Sequence, residues 1–349
     1  MVKKIIRVLA VVLIPIVCLY LLTLLLTPKY VSDIPEGSMV EEYYDSSKNH
    51  DVLFLGDCEV YENISTVKMW EEYGITSYIR GSSEQLIWQS YYLLEDTLKY
   101  ETPKVVVLNV LAMSQAEAKS EAYNRMTLDG MRWSVSKLNS IKESMTDEET
   151  LLSYVFPLIR YHSRWSELTF DDVRYMFSKP KVTSNGYLMQ VGVRPVTTVP
   201  KVQPLANYRF SDRNYEYLDK IRTLCESKGI ELVLMKAPSI FPHWYDEWDS
   251  QIKDYANENN LLYLNMVNSA DEIGIDYQTD TFDYGQHLNV DGAEKTAIYL
   301  GALLQEFSLP DHRNDAEVSA EWNELAANYY SEKAAKQEEW NKNSDGGSQ

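Results

Sequence analysis

The stretch Asp51-Val52-Leu53-Phe54-Leu55-Gly56-Asp57-Cys58-Glu59-Val60-Tyr61 decides the reading of the chain. Four apolar residues between Asp51 and a Gly-Asp pair describe a short strand buried on both faces, as at the centre of a parallel sheet. Gly56 lets the chain bend, Asp57 can cap the next helix, and Cys58 is left at the carboxyl edge of the strand, where open α/β sheets hold their ligands. The plainer alternative for Cys58 is a small buried apolar residue.

Outward from this stretch, short apolar runs recur at Ile75–Ile79, Val105–Val110, Glu231–Met235 and Leu262–Asn265, separated by helical patterns such as Ser83–Tyr100 and Tyr215–Lys228. Strand and helix in alternation predict an α/β fold, a doubly wound, flavodoxin-like, five-stranded parallel sheet with helices on both faces. Between Ser114 and Arg213 the rhythm breaks into helical stretches and a Val-, Pro- and Thr-rich arm, which reads as a mainly helical insertion capping the site. The expected organisation is an anchor over 1–28, a polar linker over 29–50 and a catalytic domain over 51–310 with its insertion at 114–213. An acidic helix and disordered tail complete it over 311–349, the tail beginning at Asn343.

The amino terminus carries Lys3, Lys4 and Arg7 ahead of an apolar run from Val8 to Leu26, long enough to cross a bilayer as a helix. The positive-inside rule puts everything after Lys29 outside the cytoplasm. A cleavable signal peptide is the alternative, but no small-x-small site follows the run. A net charge of -19 gives no electrostatic reason to bind nucleic acid. The 26 tyrosines and 8 tryptophans suit either sugar-stacking surfaces or packing. Of three cysteines, Cys18 lies in the apolar run; a Cys58–Cys225 bridge would remove the nucleophile. No second histidine or cysteine pair sits at metal-ligand spacing, and no cofactor is expected.

Far from Cys58, the stretch Asp280-Thr281-Phe282-Asp283-Tyr284-Gly285-Gln286-His287-Leu288-Asn289-Val290-Asp291-Gly292-Ala293 places a carboxylate four residues before one of five histidines and then opens an amphipathic helix. Together the two stretches point to a triad. Strand-Gly-Asp-nucleophile near the start and Asp, His-Leu-Asn, Gly-Ala near the end resemble the first and last blocks of the SGNH/GDSL hydrolase superfamily. The likeness is to its membrane-anchored, envelope-modifying branches, which include the D-alanyl transfer protein of teichoic acid and exopolysaccharide O-acetyltransferases. It spans about Asp51 to Leu304. Cys58 stands where the family has serine, and Asp283-x-x-x-His287 is one residue longer than the usual spacing, so that Asp280 is the alternative orienting acid.

The resemblance implies that His287 takes the Cys58 proton and Asp283 orients the ring. The backbone N–H groups of Cys58 and Gly81 and the side chain of Asn109 would form the oxyanion hole. Gly81 also suits any tight turn, and Asn109 equally suits a structural hydrogen bond. A nearby histidine and a helix amino terminus would lower the thiol pKa and favour an ion pair before substrate arrives. Arg80, Asn124, Arg125 and Lys236 are candidate substrate contacts, with solvated helix charges as the alternative. The implied activity is that of an extracytoplasmic esterase or O-acyltransferase acting on a cell-envelope glycan or acylated polymer, beside a multi-pass membrane O-acyltransferase. A catalytically silent module of the same fold that binds glycan or such a partner is the competing expectation.

Overall fold

The computed structural model describes residues 2–199 and 201–346. Its centre is a five-stranded sheet, all parallel, of β1 (Val52–Gly56), β2 (Ser77–Gly81), β3 (Val105–Asn109), β4 (Glu231–Lys236) and β5 (Leu262–Asn265), in the order β2-β1-β3-β4-β5. The doubly wound reading holds, with β1 flanked by β2 on one side and β3 on the other.

Strand alternation divides the sheet between two apolar layers. Leu53 and Leu55 of β1, Val106 and Leu108 of β3, and Leu232 and Leu234 of β4 enter one, with helices Ile87–Thr97 and Asp212–Lys228. Val52 and Phe54, Val105 and Val107, and Val233 and Met235 enter the other, with helices Thr66–Tyr73 and Val290–Leu304 and with Tyr329 of helix Ala316–Gly346. The four apolar side chains of β1 are fully buried, each worth roughly 1.5–3 kcal/mol. A polar substitution at any of them faces a helix layer whichever way it points.

Residues 29–50 depart from the expected polar linker. Met39, Val40 and Tyr43 in this segment are buried against the two layers, and Tyr43 stacks edge-on to Tyr78 of β2. Its apolar residues are spaced for one-turn helices rather than for a strand or long helix, which hid them in a polar background. The carboxyl-terminal helix also runs through Gly346, continuous over Asn343–Gly346, where a tail is expected from composition; Gly347 lies outside the described residues. Cys58 and Cys225 are both free thiols, and Cys225 is buried in the layer opposite the one that Cys58 touches.

Candidate active site

The chain turns sharply after β1 because Gly56 permits a close approach. A Cβ there would lie 2.5 Å from Val60 Cγ2 and 2.8 Å from Asn109 Cβ. Asp57 then caps a one-turn helix, Cys58–Tyr61, its Oδ1 accepting from the Glu59 N–H at 3.2 Å. Cys58 heads that turn, half-buried, on the wall of a cavity of about 770 Å³ at the carboxyl edge of the sheet.

His287 faces the same cavity. The Asp283–His287 segment is a tight turn, not the start of a helix. Tyr284 (φ +66°) and Gly285 (φ +93°) take consecutive left-handed conformations that absorb the extra residue. The Thr281 hydroxyl accepts from the Gly285 N–H at 2.7 Å and donates to the His287 carbonyl at 2.8 Å. Asp283 grips the histidine twice: Oδ1 accepts the His287 backbone N–H at 2.7 Å, and Oδ2 lies 2.6 Å from Nδ1. Asp280, the alternative acid, is occupied by Lys295 at 2.6 Å and the Asp276 N–H at 2.8 Å. Asn63 joins the two loops, its Oδ1 accepting the Leu288 N–H at 2.7 Å.

A second carboxylate, absent from the sequence reading, stands at the ring. Glu62 Oε2 lies 3.1 Å from His287 Nδ1, and Glu62 Oε1 accepts from Gln190 Nε2 at 2.7 Å. Its signal was the four-residue spacing from Cys58, which puts both on one side of a helical turn. Glu84 was missed too; it lies on the cavity wall after β2, held by Gln115 and Lys119 from the insertion.

Electrostatics run against the expected thiolate. Six carboxylates line the cavity (Glu36, Asp57, Glu59, Glu62, Glu84 and Asp283), opposed by Lys119 and His287. Burial and then the charges of Asp57, Glu62, Glu59 and Glu84 push the Cys58 thiol pKa well up. The one-turn helix is too short to offset them. Burial alone would depress His287, but the Asp283 hydrogen bond and the Glu62 charge raise it to about 9. Burial raises Glu62 to about 7. At neutral pH these shifts favour a protonated thiol beside an imidazolium, and among the described residues no hydrogen bond joins Cys58 Sγ to His287.

Beneath Cys58 lies a buried polar floor. Lys236 Nζ contacts both Glu59 oxygens at 2.9 Å and the carbonyls of Ala237 and Ser239. Asn109 Nδ2 donates to Asp57 Oδ1 at 3.2 Å and Glu59 Oε2 at 3.1 Å, while its Oδ1 accepts the Ala237 N–H at 3.2 Å. Asn109 and Lys236, read as oxyanion donor and substrate contact, are instead engaged in bracing the turn that carries Cys58. Gly81 pairs with Gly56 in the β1–β2 ladder, where a Cβ would meet the Gly56 carbonyl at 2.9 Å; it is absent from the cavity wall. Cys58 alone of the three expected oxyanion residues lines the cavity.

The other candidate contacts are structural. Arg80 is buried against Asp96 at 3.1 Å, with its guanidinium 4.2 Å from the Tyr43 ring centre. Asn124 binds the Ser144 carbonyl at 2.7 Å and Glu149 at 2.9 Å. Arg125 pairs with Glu121 at 2.7 Å and Asp129 at 3.2 Å and lies over Tyr154. A long cationic side chain near a predicted pocket reads the same in sequence whether it faces the substrate or a buried acid. The insertion reaches the cavity through Ser114, Gln115, Lys119, Tyr123 and Gln190 rather than through these residues.

No protein-family model and no curated protein sequence matches the chain. Among solved structures it is similar to a "putative acylhydrolase" of Bacteroides fragilis at 10% identity and a TM-score of 0.38, over 76% of this chain and 94% of that one. It is also similar to a GDSL-like lipase of Bacteroides thetaiotaomicron at 11% identity and a TM-score of 0.38, over 78% of this chain and 98% of that one.

Proposed function

We propose that the chain is a membrane-anchored acyl-ester hydrolase or O-acyltransferase in which Cys58 is the nucleophile, His287 the base and Asp283 the orienting acid. The observation that carries this reading is the double grip of Asp283 on His287 within the cavity lined by Cys58. Once His287 has lost its own proton, as pH approaches about 9, its Nε2 takes the thiol proton and sulfur attacks the acyl carbonyl. The leaving alkoxide takes that proton from the imidazolium, and water or a hydroxyl then cleaves the thioester.

The Val2–Leu26 helix, apolar and long enough to cross a membrane, supports the anchor; the lysines and arginine before the apolar run support a cytoplasmic amino terminus. The resemblance supports an envelope glycan or acylated polymer as substrate and a multi-pass O-acyltransferase as neighbour. Hydrolysis of a small aryl acetate by the full chain tests the reading: turnover at pH 9 that disappears in Cys58→Ala and His287→Ala is expected, and equal rates in all three would overturn it.

The raised thiol pKa and the missing sulfur–imidazole hydrogen bond favour one other reading, a silent module that binds glycan or a membrane partner. On that reading Cys58→Ala leaves every measurable property of the site unchanged.

A further inference from the structure

The helical segment Leu151–Phe177 of the insertion exposes large apolar side chains that the acyl-transfer site does not use. Trp165, Phe170 and Phe177 are 73%, 78% and 76% exposed, and Phe156, Ile159 and Val173 are exposed beside them in sequence. Monomeric surfaces seldom gather so many large apolar side chains without a partner. The segment itself is firmly held, because Tyr161 is buried with its hydroxyl on Asp129 at 3.0 Å and Asp172 is buried against Arg164 at 3.1 Å.

Its position names the partner. Arg164 Nη1 donates to the Leu26 carbonyl at 2.6 Å, at the last residue of the apolar helix. Thr23, Leu24 and Thr27 share a recess with Tyr175, Met176 and Phe177. A helix of 25 residues is about 37 Å long, against a hydrocarbon core of about 30 Å, so its end lies at the membrane boundary. Whatever grips that end lies at the same depth. Exposed Trp and Phe among arginines are the chemistry of that boundary. The charges on the segment balance, with Arg160, Arg164 and Arg174 against Glu167, Asp171 and Asp172.

We propose that the surface of Leu151–Phe177 rests in the headgroup layer of the bilayer, beside the exit of the Val2–Leu26 helix, through apolar contact rather than attraction to anionic lipid. This rests on reading that helix as membrane-spanning. Two attachments instead of one would fix the tilt of the domain and hold its cavity at a constant orientation to the membrane.

The test places the full chain in phosphatidylcholine vesicles, with or without a minority of phosphatidylglycerol. A lipid-soluble diazirine reagent is photolysed there and labelled peptides are mapped by mass spectrometry. Labelling of both Val2–Leu26 and Leu151–Phe177 in either lipid is expected. The triple variant Trp165→Ser, Phe170→Ser, Phe177→Ser should lose labelling of the segment several-fold with the helix unchanged. A labelled helix with an unlabelled segment overturns the inference, leaves the anchor standing, and points to a protein partner missing from the vesicles. Segment labelling that needs phosphatidylglycerol overturns the apolar contact. An unlabelled helix overturns the inference together with the anchor it rests on.

Discussion

His287 Nδ1 lies 2.6 Å from Asp283 Oδ2, with Glu62 Oε2 3.1 Å from the same nitrogen. One ring nitrogen thus has two carboxylates, and the second can replace the first as a partner for the imidazolium. Asp283→Asn should lower kcat/KM by about 10–100-fold, well short of the ~10⁴-fold lost when the sole acid of a triad is replaced by its amide. The double variant with Glu62→Gln should approach the full loss. Steady-state kinetics on an aryl acetate decide it, and equal losses in single and double variants would exclude the shared role.

The carboxylates around Cys58 also set its reactivity. With thiol and imidazole both raised, alkylation of Cys58 by iodoacetamide should be slow at pH 7 and climb only at a pH above that at which an ordinary thiol ionises. Glu62→Gln removes one charge that raises both groups, so the rising limb should move to lower pH. Labelling rates followed by mass spectrometry across pH give the answer; a limb that stays in place would show that Glu62 adds nothing to the effect of burial and the other carboxylates.

Arg80 was legible in sequence as a cation at the end of β2 and illegible as anything more. Its guanidinium is buried on Asp96 and three backbone or hydroxyl partners. Arg80→Ala removes the buried cation from Asp96, which keeps the Tyr44 hydroxyl at 2.6 Å and Lys99 at 3.2 Å, so the loss should stay below the roughly 3–5 kcal/mol of a buried pair left uncompensated. Chemical unfolding should show that loss, while the folded fraction keeps its KM; a raised KM with unchanged stability would restore Arg80 to the substrate.

The contrast with β1 explains what could be read. Val52–Gly56 announces itself because a strand buried on both faces must be continuously apolar, and the turn after it must contain Gly56. The Asp283–His287 pairing was also legible, although the left-handed Tyr284–Gly285 turn that makes the longer spacing work leaves only a glycine as its trace. Asn109 and Lys236 were misread because a buried strand-end polar residue looks alike whether it faces the cavity or the Glu59 carboxylate below it. Thiol electrostatics were partly local, since Asp57, Glu59 and Glu62 lie within four residues of Cys58, whereas Glu84 reaches it from the loop after β2, where no local pattern carries it.

Stability should fall from mildly acid to alkaline pH. Burial raises Glu42, Glu59 and Glu62 to about 7 in the folded chain. Each therefore adds stability that is full below the unfolded value near 4.5 and lost as pH rises through about 7. The raised His287 adds a further part, lost as pH rises through about 9. Asp96, Glu101 and Asp249 are lowered, and their contribution disappears as pH falls below about 4. Tm should peak near pH 5; a maximum at pH 8 would contradict these burial effects.

The most direct measurement is the intact mass of the full chain after brief exposure to an aryl acetate at pH 9, with peptide mapping of any adduct. One acetyl group on Cys58, released by hydroxylamine and absent in His287→Ala, is expected. An unmodified Cys58 under conditions in which the ester is turned over, or an acetyl group that forms equally well without His287, would contradict it.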